Sequence, residues 1–201
     1  MSNKKKFYGV NDSNWGHKWG YKDSGFIINE DMSVTFTGNR YPICGKRLPN
    51  FIPFVEEILG VRFDTRPKIQ EVEKTHVTES RVNKPFLEEL RKSFEENRFT
   101  LEHNERVLHS HGQHSTDEVY KVLYNKLEKF TDLVFYIESE EETKKLIDLA
   151  KKHNVCLIPY GGGTNVTNAL RPPKEESRMV VSVDTRRMNQ IETLDEENLM
   201  V

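Results

Sequence analysis

The stretch Leu157-Ile158-Pro159-Tyr160-Gly161-Gly162-Gly163-Thr164-Asn165-Val166 decides the fold, because it predicts a β-strand that runs into a glycine loop. Three consecutive glycines carry no side chains and adopt positive φ readily, so their backbone N–H groups can converge on an anion. The Thr164 hydroxyl and the Asn165 amide are two further donors at the same place. The stretch therefore predicts a pyrophosphate-binding loop, although Gly-Gly-Gly is also typical of a flexible turn.

The residues before this loop predict a strand, a helix and a second strand. Residues 132–137 are an apolar run of strand length, and residues 139–142 form a capping box that begins an amphipathic helix. Residues 155–158 are the second strand. Such a unit forms a right-handed crossover between parallel strands, and ligands of open sheets bind beyond the carboxyl ends of the strands. The order of the elements therefore favours anion binding by the glycine loop.

The loop matches neither of the two common nucleotide-binding motifs. Gly-Lys-Ser/Thr and Gly-x-Gly-x-x-Gly are both absent, and no helix is predicted directly after Thr164. Residues 171–173, Arg-Pro-Pro, interrupt the chain instead, and residues 179–183 predict a third strand. A turn at residues 195–198 is expected to join two more strands, at 191–194 and 199–201. The chain is thus expected to stop in the middle of a sheet.

The first half of the chain predicts an aromatic arm, a hairpin and three helices. Trp15-Gly16-His17-Lys18-Trp19-Gly20-Tyr21 is interpreted as an arm that buries its aromatic rings against a larger body. The apolar stripes of the helices are interpreted as core contacts. The predicted bounds are 26–28 and 34–36 for the hairpin strands, 51–59 for a helix between Asn50 and Gly60, 85–97 for a second helix, and a third that begins at the Ser115–Glu118 capping box.

Composition excludes several classes of protein. Lys plus Arg number 30 against 32 Asp plus Glu, so the charge balance gives no reason to propose nucleic acid as a partner. No run of 18 apolar residues and no secretory signal is visible. Cys44 and Cys156 lie far apart in sequence, and both are predicted to be reduced thiols in an intracellular compartment.

The densest histidine cluster is His103, His109, His111 and His114. A metal site requires ligands at a suitable spacing, and no pattern such as His-Glu-x-x-His is present. The cluster is therefore interpreted as histidines that form hydrogen bonds in a loop, and no metal is predicted.

The chain resembles a family of flavoenzymes. Residues 129–134, 159–166 and 183–189 resemble the first half of the FAD-binding domain of the vanillyl-alcohol oxidase and p-cresol methylhydroxylase (PCMH) superfamily. Within it, residues 15–21, 37–42 and 106–113 resemble the alkyldihydroxyacetonephosphate synthase (alkylglycerone-phosphate synthase) family. The chain departs from the family pattern at positions that include Thr131, Ile137, Asn165 and Ala169.

The resemblance implies an α+β fold, with an N-terminal arm and helical region at residues 1–128 and an incomplete PCMH-type FAD-binding domain at residues 129–201. It implies FAD as the cofactor, bound by Pro159, Tyr160, Gly161, Gly162, Gly163, Thr164 and Asn165. Gly161 to Gly163 and the Thr164 hydroxyl are expected to make the direct contacts. The family's catalytic tyrosine, its phosphate-binding arginine and its C-terminal histidines are expected beyond Val201, so no catalytic residue is assigned in this chain.

The activity implied by the resemblance is a flavin-dependent transfer in ether-lipid (plasmalogen) synthesis, in which a fatty alcohol replaces the acyl chain of acyl-dihydroxyacetone phosphate. A peroxisomal location follows from the resemblance only, since no targeting signal is visible. Peripheral membrane association and homodimerisation are left open. Two alternatives also remain: a truncated fragment or interaction module without catalytic competence, and another FAD-dependent oxidase of the same superfamily.

Overall fold

The computed structural model describes residues 23–64, 78–112, 114–191 and 193–200. The aromatic arm predicted at residues 15–21 lies outside the described residues. The described chain forms two compact units, one on each side of residues 65–77. Helices and sheets are both present, which confirms the α+β class.

In the first unit, the residues that the structure describes form a small antiparallel sheet followed by one helix. Its strands are β1 (Phe26–Ile28), β2 (Val34–Phe36) and β3 (Arg47–Leu48), and its helix is α1 (Phe51–Leu59). Phe26 pairs with Phe36 and Ile28 with Val34, so the predicted hairpin is confirmed. The helix ends as predicted at Gly60, which takes a left-handed conformation, although the Asn50 side chain makes no capping hydrogen bond.

The prediction that the apolar stripe of α1 makes core contacts is wrong. Phe54, Ile58 and Leu59 are exposed, and the buried residue of this helix is Ile52. The physical reason is size, because strands of two or three residues offer too little surface to cover a helix of nine.

The second unit is built on a four-stranded sheet. Its strands are β4 (Phe99–Thr100), β5 (Leu133–Tyr136), β6 (Cys156–Tyr160) and β7 (Val180–Asp184), in the order β4-β5-β7-β6. Strands β5 and β6 both run parallel to β7, whereas β4 is antiparallel to β5. The predicted parallel strands are confirmed, but β7 lies between β5 and β6 and separates them.

Four α-helices accompany this sheet: α2 (Lys84–Ser93), α3 (His103–Leu108), α4 (Thr116–Leu123) and α5 (Glu140–Lys152). Helix α2 begins at the Asn83 cap, with Pro85 in its first turn, and ends before the predicted Asn97. The predicted caps Ser115 and Ser139 each accept a hydrogen bond from the backbone N–H three residues later. These caps fix where α4 and α5 begin.

The core of the second unit lies between the sheet and helices α2 and α5. Strand β5 is fully buried at Leu133, Val134 and Phe135, as expected for a strand covered on both faces. The other core residues come from these helices and the neighbouring strands, and they include Phe86, Leu90, Leu146, Ala150, Val181 and Val183. The domain boundary predicted at residue 128 stays a prediction.

The end of the described chain differs from the prediction. Residues 195–198 form the expected turn, but the flanking residues meet in a single bridge, Asp195 to Met200, rather than in two strands. Leu199 has a φ of 53°, which interrupts an extended conformation. Within the described residues, no helix is both long and apolar enough to cross a bilayer.

We expect Ser139→Ala to lower the free energy of unfolding of the second unit by about 1 kcal/mol, because it removes the side-chain cap of α5. Ser139→Asp is the matched control, since Asp supplies an equivalent acceptor. Urea unfolding followed by far-UV circular dichroism measures both variants. Equal stability of Ser139→Ala and the wild type would contradict the role of the cap.

Candidate functional site

The glycine loop lies at the edge of the sheet where the three parallel strands end. Tyr136, Asp184 and Tyr160 are register partners at the carboxyl ends of β5, β7 and β6. Residues 161–165 leave the sheet immediately after Tyr160 and contain no helix. The loop therefore occupies the position at which open α/β sheets bind ligands.

The exposed part of the loop has room for a ligand. A Cβ built on Gly162 would meet no atom within 4 Å, and one on Gly161 would meet only the Thr185 hydroxyl, at 3.9 Å. Thr164 is exposed, and Gly163 is half-buried with a φ of +76°. Among the described residues, the backbone N–H groups of residues 161–164 donate no hydrogen bond. These free donors and the open surface fit an anionic group such as a pyrophosphate.

The seven predicted cofactor residues divide into an exposed group and an internal group. Pro159, Gly161, Gly162 and Thr164 are exposed and Gly163 is half-buried, whereas Tyr160 and Asn165 are buried at 5% and 3% exposure. Their contact with a cofactor stays a prediction. The geometry gives Tyr160 and Asn165 a supporting place beneath the loop.

Tyr160 supports the loop from the sheet side. A Cβ on Gly163 would lie 2.6 Å from the Tyr160 hydroxyl oxygen, so the phenol lies directly against this glycine. The Tyr160 ring packs on His109 with 4.4 Å between centroids, and the Arg186 guanidinium lies 4.8 Å from the ring centroid. Burial raises the pKa of the Tyr160 hydroxyl, and the nearby positive charge of Arg186 opposes that rise. The phenol is thus a neutral packing group.

A second support comes from the segment that follows helix α3. A Cβ on Gly112 would lie 2.2 Å from the Asn165 Cβ and 2.6 Å from the Gly163 carbonyl oxygen. Position 112 therefore requires glycine, because real atoms cannot approach so closely. The segment and the glycine loop are packed against one another at this point.

A buried ionic cluster lies next to Tyr160. His109 is 1% exposed, and its Nε2 lies 2.9 Å from the Asp184 carboxylate while its Nδ1 lies 2.8 Å from the Glu105 carbonyl oxygen. Arg186 donates to both oxygens of Asp184. The Tyr136 hydroxyl donates to the Glu105 carboxylate at 2.8 Å. The cluster joins helix α3 to the carboxyl ends of β5 and β7.

Opposing effects act on the Asp184 carboxyl. Its burial tends to raise the pKa, but the hydrogen bond from His109 and the charge of Arg186 outweigh burial, so the pKa lies below its ordinary value. A lowered pKa means that the ionised carboxylate stabilises the folded state. The cluster is therefore a pH-dependent part of the support beneath the loop.

The histidine cluster predicted from the sequence is dispersed. His109 forms hydrogen bonds as interpreted, but it caps helix α3 rather than lying in a loop. His103 and His114 are exposed, whereas His111 is buried. In the part of the chain that the structure describes, no group of three His, Cys, Asp or Glu side chains is placed to hold a metal ion.

Several residues that support the loop were not predicted from the sequence. Glu118 was predicted only as the second member of a capping box, but its carboxylate accepts hydrogen bonds from Gly112, His114 and Asn165. Gly112, His109, Asp184 and Arg186 were not predicted as site residues. The sequence feature that could have indicated this support is Gly112, because a glycine permits a close approach of two backbone segments.

Both cysteines are free thiols, as predicted. Cys156 lies in edge strand β6, and burial raises the pKa of its thiol. The structure gives neither cysteine a place in the loop.

We expect Gly112→Ala to disrupt the contact between residue 112 and the loop, with a loss of about 1–3 kcal/mol in the free energy of unfolding caused by overpacking. Gly162→Ala is the matched control, because a Cβ at position 162 enters open space. Thermal melting of the two variants without ligand provides the measurement. A Gly112→Ala variant as stable as Gly162→Ala would contradict the close approach.

We expect the stabilising effect of Asp184 to depend on pH. Its lowered pKa means that its contribution is present above the unfolded value of about 3.9 and is lost as the pH falls through the folded pKa. The difference in unfolding free energy between the wild type and Asp184→Asn should therefore be largest near neutral pH and shrink below about pH 4. Urea unfolding over a pH series measures this difference, and a constant difference would contradict the ion cluster.

The chain is similar to a domain family and to several known proteins. Residues 131–201 match the FAD binding domain family. The chain is 38% identical over 183 residues to an alkyldihydroxyacetonephosphate synthase of Caenorhabditis elegans, an alignment that covers 90% of this chain and 30% of that protein. It is 31% identical over 191 residues to the synthase of Trypanosoma brucei brucei, with the same two coverages.

A solved alkyldihydroxyacetonephosphate synthase structure, in P1, superposes with a TM-score of 0.75 at 27% identity, covering 90% of this chain and 34% of that one. The chain thus spans about a third of the length of these relatives. FAD is the cofactor that the domain family and these relatives indicate. By these similarities residues 131–201 are part of a FAD-binding domain, and the chain is homologous over 90% of its length to about a third of the length of the alkyldihydroxyacetonephosphate synthases.

Proposed function

We propose that this chain binds the pyrophosphate of FAD through the loop at residues 159–165. The single observation that carries the proposal is that the backbone N–H groups of residues 161–164, in a largely exposed loop at the carboxyl ends of the strands, donate to no other residue that the structure describes. Four backbone donors, three of them on glycines without side chains, suit a doubly charged pyrophosphate. The match of residues 131–201 to a FAD-binding domain supports the choice of ligand.

Within this proposal the seven predicted residues have different tasks. The backbone N–H groups of residues 161–164 are four donors, and the exposed Thr164 hydroxyl is a fifth. Tyr160 fixes the start of the loop from below, and Asn165 fixes its end, because both are buried. Pro159 lies on the exposed side of β6, next to the loop. The flavin, when bound, supplies an electron-accepting ring. These residues would bind and orient the cofactor through its pyrophosphate.

For the whole protein we propose the activity of the relatives, an alkyldihydroxyacetonephosphate synthase. This is a flavin-dependent transfer, in which a fatty alcohol replaces the acyl chain of acyl-dihydroxyacetone phosphate during ether-lipid synthesis. The similarity to three curated synthases supports the proposal. We assign no catalytic residue to this chain, and a peroxisomal location remains an expectation from the family.

A second candidate, another FAD-dependent oxidoreductase, has less support. The chain is 28% identical to the mitochondrial D-lactate dehydrogenase (cytochrome) of Arabidopsis thaliana, but over only 60% of its length. The synthases of C. elegans and T. brucei align over 90%. The additional aligned residues favour the synthase.

We expect the purified chain to bind FAD and Thr164→Val to weaken that binding about tenfold, because the variant loses one hydrogen bond to a charged group. Thr164→Ser is the control that keeps the hydroxyl, and it should bind as the wild type does. Quenching of flavin fluorescence measures the affinities. The loop would not be the pyrophosphate site if Thr164→Val and its control bound FAD equally, and absence of binding by the folded wild-type chain would contradict the proposed function of this chain.

A further inference from the structure

The least expected side chain near the site is Glu118, a carboxylate that is 0% exposed. It belongs to the first turn of helix α4, where the helix dipole favours a negative charge. Burial of a carboxylate is costly unless donors replace the lost water. Its surroundings therefore have to supply hydrogen bonds.

Glu118 divides its two oxygens between two segments of the chain. Oε2 accepts from the backbone N–H of Gly112 at 3.0 Å and of His114 at 3.2 Å. Oε1 accepts from the Asn165 side-chain amide at 2.8 Å. One carboxylate thus connects Gly112 and His114 to the last residue of the glycine loop.

The Asn165 side chain links Glu118 to the backbone that follows the loop. Its Oδ1 accepts from the Leu170 N–H at 2.9 Å, while its Nδ2 donates to Glu118. The amide orientation is fixed, because a reversed amide would place a donor against the Leu170 N–H and an acceptor against the carboxylate. The side chain cannot turn outward to a ligand without breaking both bonds.

At position 118 the hydrogen-bond pattern requires a side chain whose polar atoms are all acceptors. A glutamine there has one oxygen, which can serve the two backbone donors, but its NH₂ then faces the Nδ2 of Asn165. Flipping Asn165 moves the donor–donor contact to Leu170. A carboxylate with a neutral amide partner satisfies every group, and so does the reverse arrangement, glutamine at 118 with a carboxylate at 165.

We propose that Glu118 is a positioning residue, whose carboxylate holds Asn165 and thereby fixes the glycine loop in the conformation that binds the pyrophosphate. This inference rests on the proposed FAD site and adds a requirement to it. The close packing of Gly112 on Asn165 and on the Gly163 carbonyl supports it independently, because the same two segments meet there. No contact between Glu118 and the ligand is involved.

The test exchanges the acid and the amide between the two positions. Glu118→Gln and Asn165→Asp each break the hydrogen-bond pattern, so each should weaken FAD binding about tenfold or more. The double variant Glu118→Gln/Asn165→Asp restores the pattern with the same net charge and should recover most of the affinity. Titration of each purified chain with FAD, followed by flavin fluorescence, gives the four affinities.

Either of two outcomes overturns the inference. One is that Glu118→Gln binds FAD as tightly as the wild type. The other is that the folded double variant binds no better than Asn165→Asp, a comparison that stays informative even if Glu118→Gln fails to fold. Recovery in the double variant is not expected of a residue that merely fills space.

A second measurement does not depend on FAD and separates this inference from the proposed function. Amide hydrogen exchange at Gly112 and Leu170 should be faster in Asn165→Asp than in the wild type, because two facing carboxylates repel one another and loosen both segments, and slow again in the double variant. If the wild type binds no FAD but the exchange pattern holds, the proposed function of the chain fails and the connection through Glu118 stands. Unchanged exchange in the single variants would refute the connection.

Discussion

The buried carboxylate of Glu118 is the interaction on which the proposed site depends. It lies in helix α4, yet it accepts hydrogen bonds from Gly112 and His114 and from Asn165, which is 47 positions further along the chain. A buried acceptor with this many donors is difficult to replace, because each donor left without a partner costs free energy. The glycine loop has no regular secondary structure of its own, so its conformation depends on such side-chain contacts.

The sheet supplies the second constraint. Register pairing places Tyr136, Asp184 and Tyr160 side by side at the carboxyl ends of three parallel strands. His109 contacts Asp184 and packs on Tyr160, so the ionic cluster and the start of the loop form one support. Together with Asn165 at the far end, both ends of the loop are fixed by buried groups while its middle remains exposed. Such a preorganised loop loses little conformational entropy on binding an anion.

The sequence predicts those parts of the fold that depend on local signals. Three helix ends were predicted correctly, at the caps Ser115 and Ser139 and at the left-handed Gly60. The hydrogen bonds and backbone angles at these positions involve residues only a few positions away. Apolar runs located β5, β6 and β7 to within a residue or two. The exposed stripe of α1 was not predictable, since periodicity indicates an apolar face and says nothing of what covers it.

The same distinction between local signals and long-range contacts applies to the site. The glycine loop was visible as a motif, but the insertion of β7 between β5 and β6 depends on strand pairing between distant residues. Glu118 carried a correct local signal, the capping box, and its contact with Asn165 lies outside any local pattern. Buried polar contacts between distant segments leave no local pattern in the sequence, so they are the hardest part of a site to predict from a single sequence.

The most direct test of the account is to record the backbone amide resonances of Gly161, Gly162, Gly163 and Thr164 by nuclear magnetic resonance while FAD, ADP or riboflavin is added. FAD and ADP, which carry a pyrophosphate, should shift these four resonances, and riboflavin, which lacks one, should leave them unchanged. Shifts of equal size with riboflavin, or shifts with FAD confined to other residues, would contradict the claim that this loop binds the pyrophosphate.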